Sequence, residues 1–109
     1  MQTPEHKVAA VLKSAAQGEN LFIRKCRWEG HIGAPDYLIL KDGRAFFVET
    51  KAPGQHPRPS QTAEFTHIRR NGCPVYVVDS AETARAVVAE ICGAPSSDLA
   101  GLARREHYV

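Results

Sequence analysis

No apolar run in this sequence approaches the ~20 residues that a membrane-spanning helix requires. Aromatic residues are few, with four Phe, three Tyr and one Trp. They do not cluster into the stacking platforms that single-strand RNA readers use, which ranks RNA low as a partner. The three cysteines, Cys26, Cys73 and Cys92, are odd in number, widely spaced and in no CxxC pair. That excludes a disulfide framework, argues against zinc, and reads as buried small hydrophobes in a reducing compartment. His6, His31, His56, His67 and His107 lack ligand spacing, which sets aside a histidine-based metal centre. The net charge is only +2, so nucleic-acid binding is permitted without being demanded. There is no internal repeat and no low-complexity segment. The start, Met1-Gln2-Thr3-Pro4-Glu5, lacks a charged segment followed by an apolar block. No signal peptide is expected, and the cytoplasm is the expected compartment.

What is present suits one small domain. The chain has 109 residues, 43% of them apolar, enough for a modest core and too many for disorder. The centre of the chain is a hairpin. Asp42-Gly43 is a strong two-residue turn signal, because both residues tolerate positive φ. With the turn there, Lys41 faces Arg44, facing positions sum to 85, and Asp36 falls opposite Glu49. Lys51 lies two residues past Glu49 and shares its face. Leu38, Leu40, Ala45 and Phe47 share the face of the two acids; Tyr37, Ile39, Phe46 and Val48 take the other. Both faces are apolar, as in a sheet covered on each side by helices.

The remaining elements fall around this hairpin. Thr3-Pro4 caps a helix with Val8, Val11, Leu12 and Ala15 as its stripe and Gly18 at its end. Glu5, in its first turn, is either an acid favoured by the helix dipole or a group near the hairpin mouth. Leu21 to Trp28 reads as a strand carrying Arg24, Lys25 and Arg27. That cluster is a solvated edge-strand guard or a phosphate-tracking stripe. Trp28 reads as core before it reads as a base-stacking platform. Pro53 to Pro59 is a stiff proline-rich loop carrying His56 and Arg58. Ser60 is the expected cap of a helix that begins at Gln61 and sets Gln61, Phe65 and Ile68 on one side. Gly72 ends it, Pro74 to Val78 is a buried strand, and Asp79 with Glu82 caps a last helix ending at Gly93. A single domain is expected over residues 1–93. Residues 94–109 form a tail in which Ser97 or Asp98 can cap one short helix, and Arg104 and Arg105 are a frayed terminus or a basic tail on nucleic acid.

Two carboxylates facing each other destabilise a strand pair, and a divalent cation between them removes that penalty. Phosphodiester hydrolysis needs an activated water, charge stabilisation on the phosphate and help for the leaving oxygen. Asp36, Glu49 and Lys51 are the residue types that chemistry asks for. By average residue usage, these acids and this lysine at hairpin spacing arise by chance in on the order of one per cent of chains this long. The bland alternative is a surface salt bridge between Glu49 and Lys51. The apolar neighbours Phe47 and Val48 argue against it, because they make these charges extensions of a core strand.

Gly33-Ala34-Pro35-Asp36, Phe47-Val48-Glu49-Thr50-Lys51-Ala52-Pro53, Ser60-Gln61 with Phe65, and Asn71-Gly72-Cys73-Pro74-Val75-Tyr76-Val77-Val78 resemble the VRR-NUC branch of the PD-(D/E)xK nucleases. The resemblance spans about residues 5 to 90. It implies an α/β fold of restriction-endonuclease type: a mixed β-sheet with a central hairpin and helices on both faces. It implies that Asp36, Glu49 and the Thr50 backbone carbonyl hold Mg²⁺ or Mn²⁺, with Glu5 as a further acid. Lys51 would act on the water or the transition state, and Gln61 would stand beside the site. Arg24, Lys25, Arg27 and Arg58 are the candidate DNA contacts. The activity implied is a metal-dependent, structure-specific DNA endonuclease resembling Holliday-junction resolvases, working on branched DNA as a homodimer. Paired cuts in a junction are what a two-fold dimer can place. The alternative is a non-catalytic DNA-binding or assembly module on the same fold. The insert Gly54 to Pro59 departs from the family pattern and bears on substrate choice.

Overall fold

The computed structural model describes residues 3–97. The elements run α1 (Pro4–Gly18), β1 (Phe22–Lys25), β2 (Tyr37–Lys41), β3 (Arg44–Thr50), α2 (Pro59–Arg70), β4 (Val75–Val78) and α3 (Ala81–Cys92). They form a mixed four-stranded sheet in the order β1-β2-β3-β4. β1 to β3 are antiparallel neighbours, and β4 joins parallel to β3 after the α2 crossover. The hairpin is therefore central, as the sequence predicts. Tyr37 pairs with Val48 and Lys41 with Arg44, the register in which facing positions sum to 85. Asp42 and Gly43 have φ of 48° and 80°, both in the left-handed region that a tight I′-type turn needs.

Strand parity separates two faces. On one, Tyr37, Ile39, Phe46 and Val48 pack with Val8, Ala9, Leu12 and Ala16 of α1 and with Ala84, Val88 and Ile91 of α3. This is the main core. The buried stripe of α1 sits one position beyond the one predicted: Ala9 and Ala16 are inside, while Val11 and Ala15 lie at its margin. The other face is covered over β3 and β4 by α2, whose Phe65 is buried, and by Trp28, which meets Phe47 edge to face at 6.2 Å. Beyond that cover, Phe22 and Leu40 stay half-exposed. Cover on the second face is thus partial, because α2 alone cannot span four strands. The three cysteines are free thiols, and they are half-buried rather than core.

Caps differ from the sequence reading in two places. α2 starts at Pro59, with Arg58 as N-cap. Proline at the first helical position has its φ preset and no N–H to satisfy, so it begins the helix ahead of Ser60. α3 is capped by Ser80, whose hydroxyl accepts from the Thr83 amide at 3.0 Å, instead of by Asp79. The Asp79 carboxylate accepts the Gly54 amide instead, tying down the proline-rich loop. β1 is shorter than the predicted strand because Cys26 onward bends into the loop leading to Asp36. The expected short helix beyond Ser97, with Arg104 and Arg105, lies outside the described residues.

Gly33 is the tightest point of that loop. Its φ is +93°, and a Cβ there would lie 2.5 Å from the Ser60 carbonyl oxygen. Gly30, at φ +74°, has open space around it. Gly33→Ala should therefore cost about 3 kcal/mol against about 1 kcal/mol for Gly30→Ala. Urea unfolding of the two variants measures the difference, which isolates the close approach of this loop to α2.

Candidate functional site

The open end of the hairpin carries the charges. β3 runs from the core toward this end, so Glu49 and Thr50 are still inside when the chain leaves the sheet. Glu49 is 2% exposed. It survives there because both carboxylate oxygens are satisfied. Oε1 accepts the Asp36 amide at 3.1 Å. Oε2 accepts Gln61 Nε2 at 2.7 Å and lies 3.1 Å from Lys51 Nζ. Burial, then the Asp36 charge, pushes the Glu49 carboxyl above its ordinary range, while Lys51 and Gln61 pull it back.

Asp36 is held from the neighbouring strand. Its Oδ2 accepts the Thr50 amide at 2.9 Å and the Thr50 hydroxyl at 2.8 Å. Among the described residues, no hydrogen bond goes to its Oδ1. Thr50 thus points its N–H toward Asp36, and in extended backbone the same residue's carbonyl faces the same way. Lys51 turns to the other neighbour, its amide donating to the Val78 carbonyl at 2.9 Å. The alternation turns the Thr50 N–H and carbonyl to the Asp36 side of β3 and the Lys51 amide to the β4 side.

Gln61 is the connector. It stands at the third position of α2, where its Oε1 accepts the Arg58 amide at 2.9 Å. The same oxygen accepts Lys51 Nζ at 2.9 Å, and Nε2 faces Glu49. An oxygen facing two donors and a nitrogen facing a carboxylate leave the amide one sensible orientation. Gln61 therefore holds acid and base at once, and it also caps its own helix.

Asp36, Glu49, Thr50, Lys51 and Gln61 are all brought together. Glu5 is placed at the rim. It lines a cavity of about 440 Å³ with Lys51, Gln55, His56 and Arg58. Burial, then the Asp36 charge and last that of Glu5, push the Tyr37 phenol up. Among the described residues, no group of three or more acids, histidines or cysteines converges on one point. Two carboxylates and a carbonyl are an all-oxygen donor set, and that fits Mg²⁺ or Mn²⁺, which take one or two carboxylates and keep several waters. Arg58 sits at this rim. Arg24 lies 4.0 Å over the Phe22 ring and Lys25 5.8 Å over Tyr37. Arg27 lines a separate cavity with Trp28, Glu29 and Gly30.

Sequence reasoning missed Glu64. Its carboxylate accepts the Trp28 indole N–H at 2.5 Å and meets His31 Nε2 at 3.3 Å. The available signal was its place three residues after Gln61, which sets both on one side of α2. It also missed that Thr50 holds Asp36 through its amide and hydroxyl.

No family model matches the chain. It is similar to a solved structure described as a VRR_NUC domain, with 32% identity, a TM-score of 0.74, and coverage of 81% of this chain and 97% of that one. It is also similar to "Putative nuclease p44" of Acyrthosiphon pisum secondary endosymbiont phage 1, with 44% identity over 52 residues. That match covers 47% of this chain and 56% of the phage protein, so the chain spans only about half the length of that relative.

Lys51 is the cation that makes a charged, buried Glu49 tolerable. Its own side chain is 14% exposed. Lys51→Met should cost about 2 kcal/mol at pH 8, less than a fully buried pair would lose. A carboxyl raised above its ordinary value of 4.5 binds protons more tightly folded than unfolded. Its contribution to stability therefore falls as pH rises through the raised value. Without Lys51 that fall is larger, so wild type and variant should converge toward pH 4.5 and diverge toward pH 8. Urea unfolding across that range measures it.

Proposed function

The chain belongs to the VRR-NUC family, and from that premise we propose that it is a metal-dependent DNA endonuclease that hydrolyses phosphodiester bonds at branched structures. One observation carries the reading. Asp36, Thr50, Glu49, Gln61 and Lys51 form a continuous hydrogen-bonded set at a solvent-facing mouth. A structural ion pair would need only Glu49 and Lys51. The likeness to a phage protein named as a nuclease supports it.

In this reading Asp36, Glu49 and the Thr50 carbonyl would hold Mg²⁺ or Mn²⁺. When bound, such an ion supplies Lewis acidity and a water acidified enough to attack at neutral pH. The chain's own residues do the rest. Thr50 keeps Asp36 turned so that one oxygen stays open. The Lys51 ammonium has three protons, and its contacts with Gln61 and Glu49 use two. The third can orient an attacking water or bind the non-bridging phosphate oxygen as charge develops there. Gln61 fixes the direction of that ammonium. Arg58 and His56, on the rim of the 440 Å³ cavity, flank the path of the cut strand and offer charge to its phosphates. The nuclease domain is taken as residues 1–93. A homodimer would place two such sites for paired cuts in a junction.

The test is a panel of duplex, flap, splayed and four-way DNA, incubated with Mg²⁺, Mn²⁺ or a chelator, with the cuts mapped. Cleavage should vanish with the chelator. Asp36→Asn and Lys51→Ala should each lower the single-turnover rate by at least about 10³-fold at temperatures where both variants are folded. Undiminished cleavage by purified Lys51→Ala would sink the mechanism. The wild-type rate at fixed metal should fall as pH drops toward the raised Glu49 value, because the protonated carboxyl no longer holds a cation.

A further inference from the structure

The site has two walls that come from different parts of the chain. One is the loop from Cys26 to Asp36, and the other is α2 with Gln61. The loop is closed at its base, where the Cys26 amide donates to the Asp36 carbonyl at 2.7 Å. Its end carries Asp36, whose amide and carboxylate engage Glu49 and Thr50. Any tilt of this loop therefore moves a carboxylate and a donor to Glu49 together. Hydrogen bonds at the mouth tie the loop to α2 through Glu49 at one end. A second tie lies further along, where Gly33 lies against Ser60 and Glu64 receives the loop.

Glu64 is suited to this. Its side chain is 15% exposed and stands one turn after Gln61 on the same helix. One oxygen takes the Trp28 indole N–H, and the other meets His31, whose own side chain is 65% exposed. Trp28 is in turn wedged edge-on against Phe47, two residues before Glu49. The indole is thus a strut between β3, the loop and α2. A Trp N–H in such a position needs an acceptor, and Glu64 is the one it has.

We propose that Glu64 is a positioning residue for the metal site: through Trp28 it holds the Asp36 loop at the spacing from α2 at which Asp36 and Glu49 can share one divalent cation. The inference rests on the nuclease reading above. Glu64 does not touch the reacting atoms, and its effect falls on metal affinity before it falls on turnover. His31 is a minor partner, because its contact is long and solvent-exposed.

The test is calorimetric uptake of Mn²⁺ alone by the whole chain, without DNA, backed by the Mn²⁺ dependence of cleavage. Glu64→Leu and Trp28→Phe should each weaken Mn²⁺ binding by about 10- to 100-fold, the range lost when the groups that orient metal ligands are removed. Cleavage at saturating Mn²⁺ should recover to within about threefold of wild type. Glu64→Gln keeps an acceptor for the indole and should bind Mn²⁺ within about threefold of wild type, as should His31→Ala. Trp28→Phe keeps the ring against Phe47, so it decides the matter if Glu64→Leu fails to fold. Normal Mn²⁺ affinity in folded Trp28→Phe would overturn the proposal, and so would a Glu64→Gln as weak as Glu64→Leu. Wild type taking up no Mn²⁺ would overturn the nuclease reading itself, and the positioning role with it. Wild type binding normally beside unaffected variants would overturn the positioning role alone.

Discussion

A carboxylate buried at the end of a core strand is the constraint on which the rest of this structure depends. Glu49 cannot lose its hydration without replacement donors. Three arrive from three places: the Asp36 backbone amide from the loop end just before β2, the Gln61 side-chain amide from α2, and the Lys51 ammonium from the residue just after β3. Each of those elements is held in position by other packing. The hairpin register, the start of α2 and the exit of β3 have to agree for the carboxylate to be satisfied. Fold and site are therefore one problem here, since an error in register would leave an unpaired charge in the interior.

The division of the sheet into two unequal faces follows from the same arrangement. One face is apolar at its centre and is sealed by α1 and α3. It supplies the rigidity. The other face ends in charge, and its cover is lighter: one helix, one loop and a single indole. The proposed nuclease site needs that lighter cover, because its substrate would have to reach Lys51 and the carboxylates. It also needs the cover to be stiff, because two carboxylates share a cation only over a narrow range of separations. The indole braced between Phe47 and Glu64 reconciles the two demands with few residues.

Much of this was legible in the residues. Asp42-Gly43 forces a two-residue turn, and strand parity then places Asp36, Glu49 and Lys51 at one mouth without further information. Thr3-Pro4 and Gly72 mark helix ends by backbone chemistry that works locally. The caps at Ser60 and Asp79 were misread because two adjacent residues were chemically competent and context chose between them. At α2, Pro59 preset the first turn. At α3, the Asp79 carboxylate was drawn to Gly54, and Ser80 took the cap.

The contacts that join distant segments were out of reach. Trp28 and Glu64 lie 36 residues apart, and nothing periodic connects a tryptophan in a loop with a glutamate on a later helix. The same holds for the asymmetry of cover: both faces of the hairpin are apolar, and only the packing of α1 with α3 decides which one is sealed. By itself, then, the sequence determined the hairpin, its register and the chemical class of its mouth, because turn geometry and side-chain alternation act over a few residues. Tertiary structure alone decided that Gln61 would bridge Glu49 to Lys51, that Thr50 would hold Asp36, and that Glu64 would brace the loop through Trp28. Those are distances between elements, and they exist only once the elements have packed.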